Sequence, residues 1–420
     1  MASNHEDVSI LALAEAVLEQ TKAITKYLQA NSIAAPTFSS TASVPPNTPE
    51  YLALQSKVRE SLEDLQRLIE GPTKFYRSFF MGVYELAAFQ IALDFDFFTL
   101  VPTEGEIALE ELAAKAVLDQ DRTSRVVRLL ITQRFFQERR PGYISHNLFS
   151  VALQDEELRS LVHYSFDEML KAAADSTVSL KATPYESDSD HCPFNTRHKV
   201  PIFQYYAQNP DKASRFARAM AGYRRMENSI NELRDNFPWG QLQGTVVDIG
   251  GGSGHVAMIL ARLFPQLDFV VQDGSTHMLA EGQKLLTEEI RERITFRQHN
   301  FFEPQPVRGA AAFLLRQCTH NWADADVVTI FKAVVTGLEG SAPETPLLIN
   351  DVILPESGTI SRQKEREMRQ ADMVMLVSFG AKQRTQKEFG TLLKEADPRY
   401  EIRRVHETGA LGLLEVYLKR

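Results

Sequence analysis

The chain has 420 residues, 44% of them apolar, with a formal net charge of −9 and two cysteines. That length predicts two or three domains with sizeable cores, and the acidic balance argues against a nucleic-acid partner, which calls for a basic face. Cys192 and Cys318 lie too far apart to suggest a disulfide framework, the N-terminus has no signal-peptide core, and no run of about 18 apolar residues suggests a membrane span, so a cytoplasmic protein is expected.

Residues Val8–Leu28 carry Ile10, Leu11, Leu13, Ala14, Val17, Leu18 and Ile24 at helical spacing. Asn31–Pro49 is rich in Ser, Thr, Ala and Pro and reads as a linker. A lone amphipathic helix needs cover for its stripe, and a homodimer partner is expected to supply it. A second helix over Tyr51–Ile69 breaks at Gly71-Pro72, and a strongly apolar one follows over Tyr84–Phe98. Then come Ile107–Ala113, Thr123–Leu130, Phe135–Glu138, a Pro141-Gly142 turn and Tyr143–Ser145: helix, turn, helix, hairpin, a winged-helix pattern. Arg125, Arg128, Arg134, Arg139 and Arg140 invite a DNA-binding reading, but Glu104, Glu106, Glu110 and Glu111 dilute them. Leu153–Leu180 reads as helix. His191, Cys192 and His198 fall in the polar stretch Tyr185–Lys199 at a spacing that matches no common zinc pattern, so a surface loop without metal is expected.

The α/β pattern begins near Thr245. Val246-Val247-Asp248-Ile249 is a buried-strand run, Gly250-Gly251-Gly252-Ser253-Gly254 a glycine turn, and Val256, Ile259, Leu260 and Leu263 recur at helical spacing. Strand, tight turn and helix is the place where an open α/β sheet holds a ligand. The dinucleotide pattern G-x-G-x-x-G fails because His255 stands at its last position. The next run, Leu267–Val271, ends in Gln272-Asp273, which puts a carboxylate where a ribose diol would be gripped. Regular strand and helix alternation continues to a final strand at Gly412–Leu418, expected at the sheet edge, and predicts a doubly wound α/β sheet.

Asp248-Ile249-Gly250-Gly251-Gly252-Ser253-Gly254 with Asp273 resembles the cofactor loop of S-adenosylmethionine-dependent methyltransferases, in particular the O-methyltransferases of plant phenolic and fungal secondary metabolism. The resemblance implies a Rossmann-like methyltransferase domain at 236–420, a helical, winged-helix dimerisation and substrate-lid domain at 50–235, and an N-terminal helix and linker at 1–49. It implies S-adenosylmethionine as cofactor, held by Asp248, Gly250, Gly252, Gly254 and Asp273, with Asn300 and Phe301 at the adenine and Arg316 in place of a family Lys. At the adenine position the family carries Asp; Asn300 both donates and accepts, so it can still meet the base's edge.

Methyl transfer from a sulfonium needs in-line positioning and a deprotonated acceptor. His320, in Thr319-His320-Asn321-Trp322, follows a strand end and resembles the family's general base. The family sets two acids around that base. One matches Asp351; at the other position, in Gly380-Ala381-Lys382-Gln383-Arg384-Thr385, Gln383 stands where the family has Glu. A neutral amide stabilises an imidazolium less than a carboxylate does, so a weaker base is expected. Two readings follow: an O-methyltransferase acting on a small aromatic or polyketide-like metabolite, or the same scaffold keeping its cofactor while catalysing dehydration or pericyclic cyclisation, with the sulfonium charge as an electrostatic aid. Met373, Met375, Phe379 and the Phe203–Tyr206 segment are expected to line an apolar cavity for a flat acceptor.

Overall fold

A computed structural model describes residues 8–227, 230–406 and 411–420; the polar stretch before Val8 lies outside it. The chain divides into two compact units.

The first unit holds the chain up to Lys171 with Asn209–Tyr223 and Ile360–Lys364. Helix α1 (Ile10–Ala30) is capped by the Ser9 side chain, which accepts the Ala12 N–H at 3.1 Å. It packs along α2 (Pro49–Asp94), with Tyr27 and Tyr51 ring centroids 5.8 Å apart and Leu13, Leu28, Tyr51 and Val58 buried. Part of the cover expected from a dimer partner is thus supplied within the chain. The expected break is a kink: Gly71 alone takes φ 66°, and the helix resumes at Pro72 rather than near Tyr84. Proline is tolerated there because the first N–H groups of a helix have no intrahelical partner.

Strand β1 (Ile107–Ala108), helices Leu109–Lys115 and Gln120–Thr132, and the hairpin β2 (Phe136–Arg140) and β3 (Tyr143–His146) follow as read. They form a three-stranded sheet of order β1-β3-β2 over a core including Phe89, Phe98, Val127, Leu130, Phe136 and Ile144. Three of the arginines here are ion-paired, Arg125 to Asp121 at 3.9 Å, Arg128 to Glu138 at 3.3 Å and Arg140 to Glu106 at 2.5 Å.

The second unit holds Ala172–Gln208, the chain from Arg224 to Thr359, and that from Glu365 to the end. Its main sheet comprises β4 (Gly244–Ile249), β5 (Leu267–Asp273), β6 (Ile294–Gln298), β7 (Ala312–Arg316), β8 (Leu347–Asp351), β11 (Tyr400–His406) and β12 (Gly412–Leu418), in the order β11-β12-β8-β7-β4-β5-β6. A two-stranded parallel pair, β9 (Ile353–Leu354) with β10 (Arg384–Thr385), stands beside it. All neighbouring pairs from β6 to β8 are parallel, and β12 is antiparallel to both β8 and β11. Period-2 alternation covers both faces. Val247, Ile249, Phe313 and Leu315 pack under helices Asp324–Glu339 and Gln386–Ala396, while Val246, Ala312, Leu314 and Leu348 pack under helix His255–Leu263.

Gly412–Leu418 is not the edge strand: β11 lies outside it. The β11 sequence Tyr-Glu-Ile-Arg-Arg-Val-His buries only Tyr400 fully, and charged side chains on an edge strand hide its alternation. The strand order reverses at β4, so the glycine turn sits at the topological switch point.

Candidate active site

The carboxyl ends of β4, β5, β6, β7 and β8 lie along one edge of the sheet, and every residue expected to hold the cofactor or act in catalysis lies in the last two residues of one of these strands or in the turn after it, except Gln383, which precedes β10. After β4 the chain turns through Gly250, Gly252 and Gly254, at φ 71°, 56° and 73°. A Cβ at Gly250 would lie 2.7 Å from Cys318 Sγ, and one at Gly251 2.5 Å from Asp248 Oδ2. Only glycine satisfies both the backbone and the space here. The turn is tied to the next strand: the Gly252 N–H donates to Asp273 Oδ2 at 3.0 Å and the Ser275 N–H to Asp273 Oδ1 at 2.8 Å. Both carboxylate oxygens are fixed, and each keeps a lone pair for a hydroxyl.

Asp248 is buried, and its Oδ2 has no hydrogen-bond partner among the described residues. Burial pushes its carboxyl up to about 7, with Arg316 pulling it down and Asp273 adding to the rise. After β6, Asn300 Oδ1 accepts the Phe302 N–H at 3.2 Å, and the Phe301 ring lies beside Gly250 and 5.7 Å from Trp322. His299, next to Asn300, keeps its Nε2 buried without a partner, and burial holds its imidazole below the ordinary range. Arg316 hydrogen-bonds Asn350 Oδ1, and the Asn350 amide donates to Gly412 O at 2.7 Å.

After β7, Gln317 takes a left-handed φ of 49°, a strained conformation for a residue with a Cβ, and turns the chain into the short helix Thr319–Asn321. His320 Nδ1 meets Asp351 Oδ1 at 2.5 Å. A carboxylate only accepts, so Nδ1 carries the proton, and Nε2, without a hydrogen-bond partner among the described residues, presents its lone pair. Burial works to raise the Asp351 carboxyl, but His320, the Thr319 hydroxyl and the Val352 N–H hold it below the usual carboxylate range.

Gln383 is buried, its N–H donates to Asp372 Oδ1 at 2.7 Å, and its Oε1 has no partner among the described residues; no hydrogen bond joins it to His320. Its neighbour Arg384, fully buried, donates to the carbonyls of Thr319 at 2.9 Å and Trp322 at 2.8 Å and through Nε to Asp324 Oδ1 at 2.9 Å, pinning both ends of the His320 turn. The Phe203 and Phe379 ring centroids are 5.7 Å apart, which joins two of the stretches expected to line the acceptor's cavity. Sequence reading missed the roles of Thr319, Arg384 and Cys318. Arg384 lay inside a quoted motif, but its partners are about sixty residues away. Burial, with the Asp351 and Asp248 charges near it, pushes the Cys318 thiol up and keeps it protonated. No group of three His, Cys, Asp or Glu side chains able to hold a metal occurs among the described residues.

A mostly parallel sheet with a glycine turn at its switch point and an imidazole–carboxylate pair at the ends of the next two strands, β7 and β8, defines a Rossmann-like transferase. A sequence profile for the O-methyltransferase domain matches residues 178–398. O-methyltransferase sol2 of Alternaria solani is 53% identical over 98% of this chain and 95% of its own length. The grayanic acid biosynthesis cluster O-methyltransferase of Cladonia grayi is 32% identical over 97% of this chain and 87% of its own. The crystal structure of OxaC shares the fold, with a TM-score of 0.79 at 19% identity, covering 98% of this chain and 99% of that one. The chain belongs to the O-methyltransferase family, whose methyl donor is S-adenosylmethionine. The residues present suit that cofactor. Gly250, Gly251 and Gly254 leave no room for a Cβ, Asp273 keeps lone pairs for a diol, and the unpartnered Oδ2 of Asp248 suits a cationic ligand.

Proposed function

We propose that the chain methylates a hydroxyl of a small aromatic or polyketide-like secondary metabolite, with His320 as general base. The observation that carries this reading is the His320–Asp351 contact at 2.5 Å, with Nε2 left unpartnered on the sheet edge that also bears the glycine turn. S-adenosylmethionine supplies an activated methyl group on a sulfonium. Asp248, Gly250, Gly252, Gly254, Asp273, Asn300, Phe301 and Arg316 hold and orient that cofactor. His320 Nε2 takes the acceptor's hydroxyl proton, and Asp351 stabilises the imidazolium that results. Such a base contributes about 10²–10⁴-fold, and positioning of the reactants up to about 7–11 kcal/mol. The relatives named for O-methylation, one of them from a biosynthetic cluster, support this substrate class.

Incubating the protein with methyl-labelled cofactor and a panel of phenols and enols tests the proposal, with label expected in product. Cofactor bound and never demethylated, while an enolic substrate dehydrates or cyclises, would instead favour the ring-forming use of the scaffold that Gln383 suggests.

The assembly we propose is a homodimer built on the region 50–235, with 236–420 carrying the cofactor and base. On α2, Tyr76, Phe79, Phe80, Met81, Val83 and Tyr84 are exposed, Phe79 to 74%. Contiguous apolar surface of this kind marks an interface. Replacing Phe79 and Phe80 with Asp is expected to convert dimers to monomers by sedimentation while cofactor affinity stays the same; an unchanged sedimentation coefficient would remove α2 from the interface. The two free, buried thiols support a reducing, cytoplasmic setting, and among the described residues no helix is long and apolar enough to cross a membrane.

A further inference from the structure

We propose that Thr319 is a positioning residue of the reaction: its hydroxyl fixes the rotation and charge of Asp351, and through it the imidazole of His320. The inference rests on the reading of His320 as base. Asp351 is buried at the end of β8 and is held by three donors. Its Oδ1 takes the His320 Nδ1–H at 2.5 Å and the Val352 N–H at 3.0 Å, and its Oδ2 takes the Thr319 hydroxyl at 2.7 Å. The hydroxyl must be the donor, because the carboxylate has no proton to give.

Thr319 and His320 are consecutive, so one turn of chain grips both oxygens of one carboxylate. His320 and the Val352 N–H both hold Oδ1, so without the hydroxyl Oδ2 has no donor and the carboxylate is fixed on one side only. The Thr319 hydroxyl fixes the other side. Thr319 is 1% exposed and Asp351 likewise 1%, so water cannot take the hydroxyl's place. The turn that carries Thr319 is itself fixed, since Arg384 holds the Thr319 carbonyl at 2.9 Å.

The departure at Gln383 gives this hydroxyl its weight. Among the described residues, Asp351 is the carboxylate hydrogen-bonded to His320, and its orientation decides how much charge His320 feels. The other ionisable groups that bear on the pair are Arg384, through the Thr319 carbonyl, and the protonated Cys318 thiol, whose electrostatic neighbours include Asp351, Asp248 and Asp273.

The variants that test this are Thr319→Val, which keeps the shape and removes the donor, and Thr319→Ser, which keeps the donor. Thr319→Val is expected to lower kcat by about 5–20-fold with the acceptor's KM unchanged. A carboxylate that loses a donor concentrates its charge on His320, so the acid limb of the kcat profile is expected to move to higher pH. Thr319→Ser is expected to restore rate and profile to within about twofold.

A second measurement needs neither cofactor nor turnover. The low-field Nδ1–H proton resonance of His320 is expected to persist in the parent and Ser proteins and to shift upfield or broaden away in Val. Should Val fail to fold, Thr319→Cys retains the size with a weaker donor and gives the order Thr, Ser, then Cys. Unchanged rate, profile and resonance in Val would overturn the proposal, as would a loss that Ser does not restore. A parent protein that transfers no methyl, yet shows the resonance and its loss in Val, would sink the function reading and leave the positioning role standing.

Discussion

At the glycine turn, the contacts that shape the site come from the backbone: positive φ at Gly250, Gly252 and Gly254, and the Gly252 and Ser275 amides on Asp273. Beyond β7 and β8 they come from side chains: the His320 ring, the Thr319 hydroxyl, the Asp351 carboxylate and the Arg384 fork. Both lie on the same sheet edge. A site built from backbone tolerates change only where no Cβ is added, and its chemistry stays with whatever ligand the turn can cradle. A site built from side chains can be retuned one residue at a time, as at Gln383, while the scaffold stays the same.

The sharpest break in this comparison is a Cβ at the turn. Gly251→Val drives side-chain atoms into Asp248 Oδ2 and Val271, each within 3 Å of an added Cβ. Cofactor affinity by calorimetry is expected to fall by about 100-fold or more, alongside an overpacking cost of about 1–3 kcal/mol in stability. Affinity within threefold of the parent's would remove the turn from the cofactor site.

Next in size is Asp248. Its folded carboxyl sits at about 7 against an ordinary 3.8, so between those values the folded, cofactor-free protein holds a proton that the unfolded chain has released. The folded state then binds more protons, and this group's contribution to stability falls as pH rises from about 4 to about 7. Asp248→Asn abolishes that slope. In urea at pH 8 it is expected to be more stable than the parent by on the order of 2–4 kcal/mol, and equal to it near pH 4. The same change is expected to weaken cofactor binding about tenfold, because the cofactor's cationic end loses its counter-charge. A variant less stable at pH 8 would mean that Asp248 has a partner in the folded protein.

The two halves of the site also differ in how far sequence exposed them. The turn, Asp273 and the parallel strands are local signals: glycines in a row, apolar runs of strand length, an acid at a strand's end. The contact from Thr319 to Asp351 joins the turn after β7 to the end of β8, and the Arg384 clamp spans more than sixty positions. No pattern of neighbours encodes either of them. Strand β11 stayed hidden because Glu401, Arg403 and Arg404 interrupt its alternation, and the stretch 72–83 of α2 because Gly71-Pro72 signals an end where the backbone only kinks. His320, Asp351 and Gln383 were found through family resemblance rather than through anything their spacing dictates.

The smallest expected effect falls on the side-chain half. Gln383→Glu adds a charge where an unpartnered amide oxygen now lies, and kcat is expected to rise by about 2–5-fold with cofactor affinity unchanged. A fall in kcat would show that the neutral amide suits this acceptor better than a carboxylate.

The most direct test of the central claim is a single-turnover transfer of labelled methyl from S-adenosylmethionine to an accepted hydroxyl, comparing the parent with His320→Gln. Transfer by the parent is expected, with a rate lower by about 100-fold or more in the variant and cofactor affinity the same in both. Equal rates in the two proteins would contradict the assignment of the proton to His320.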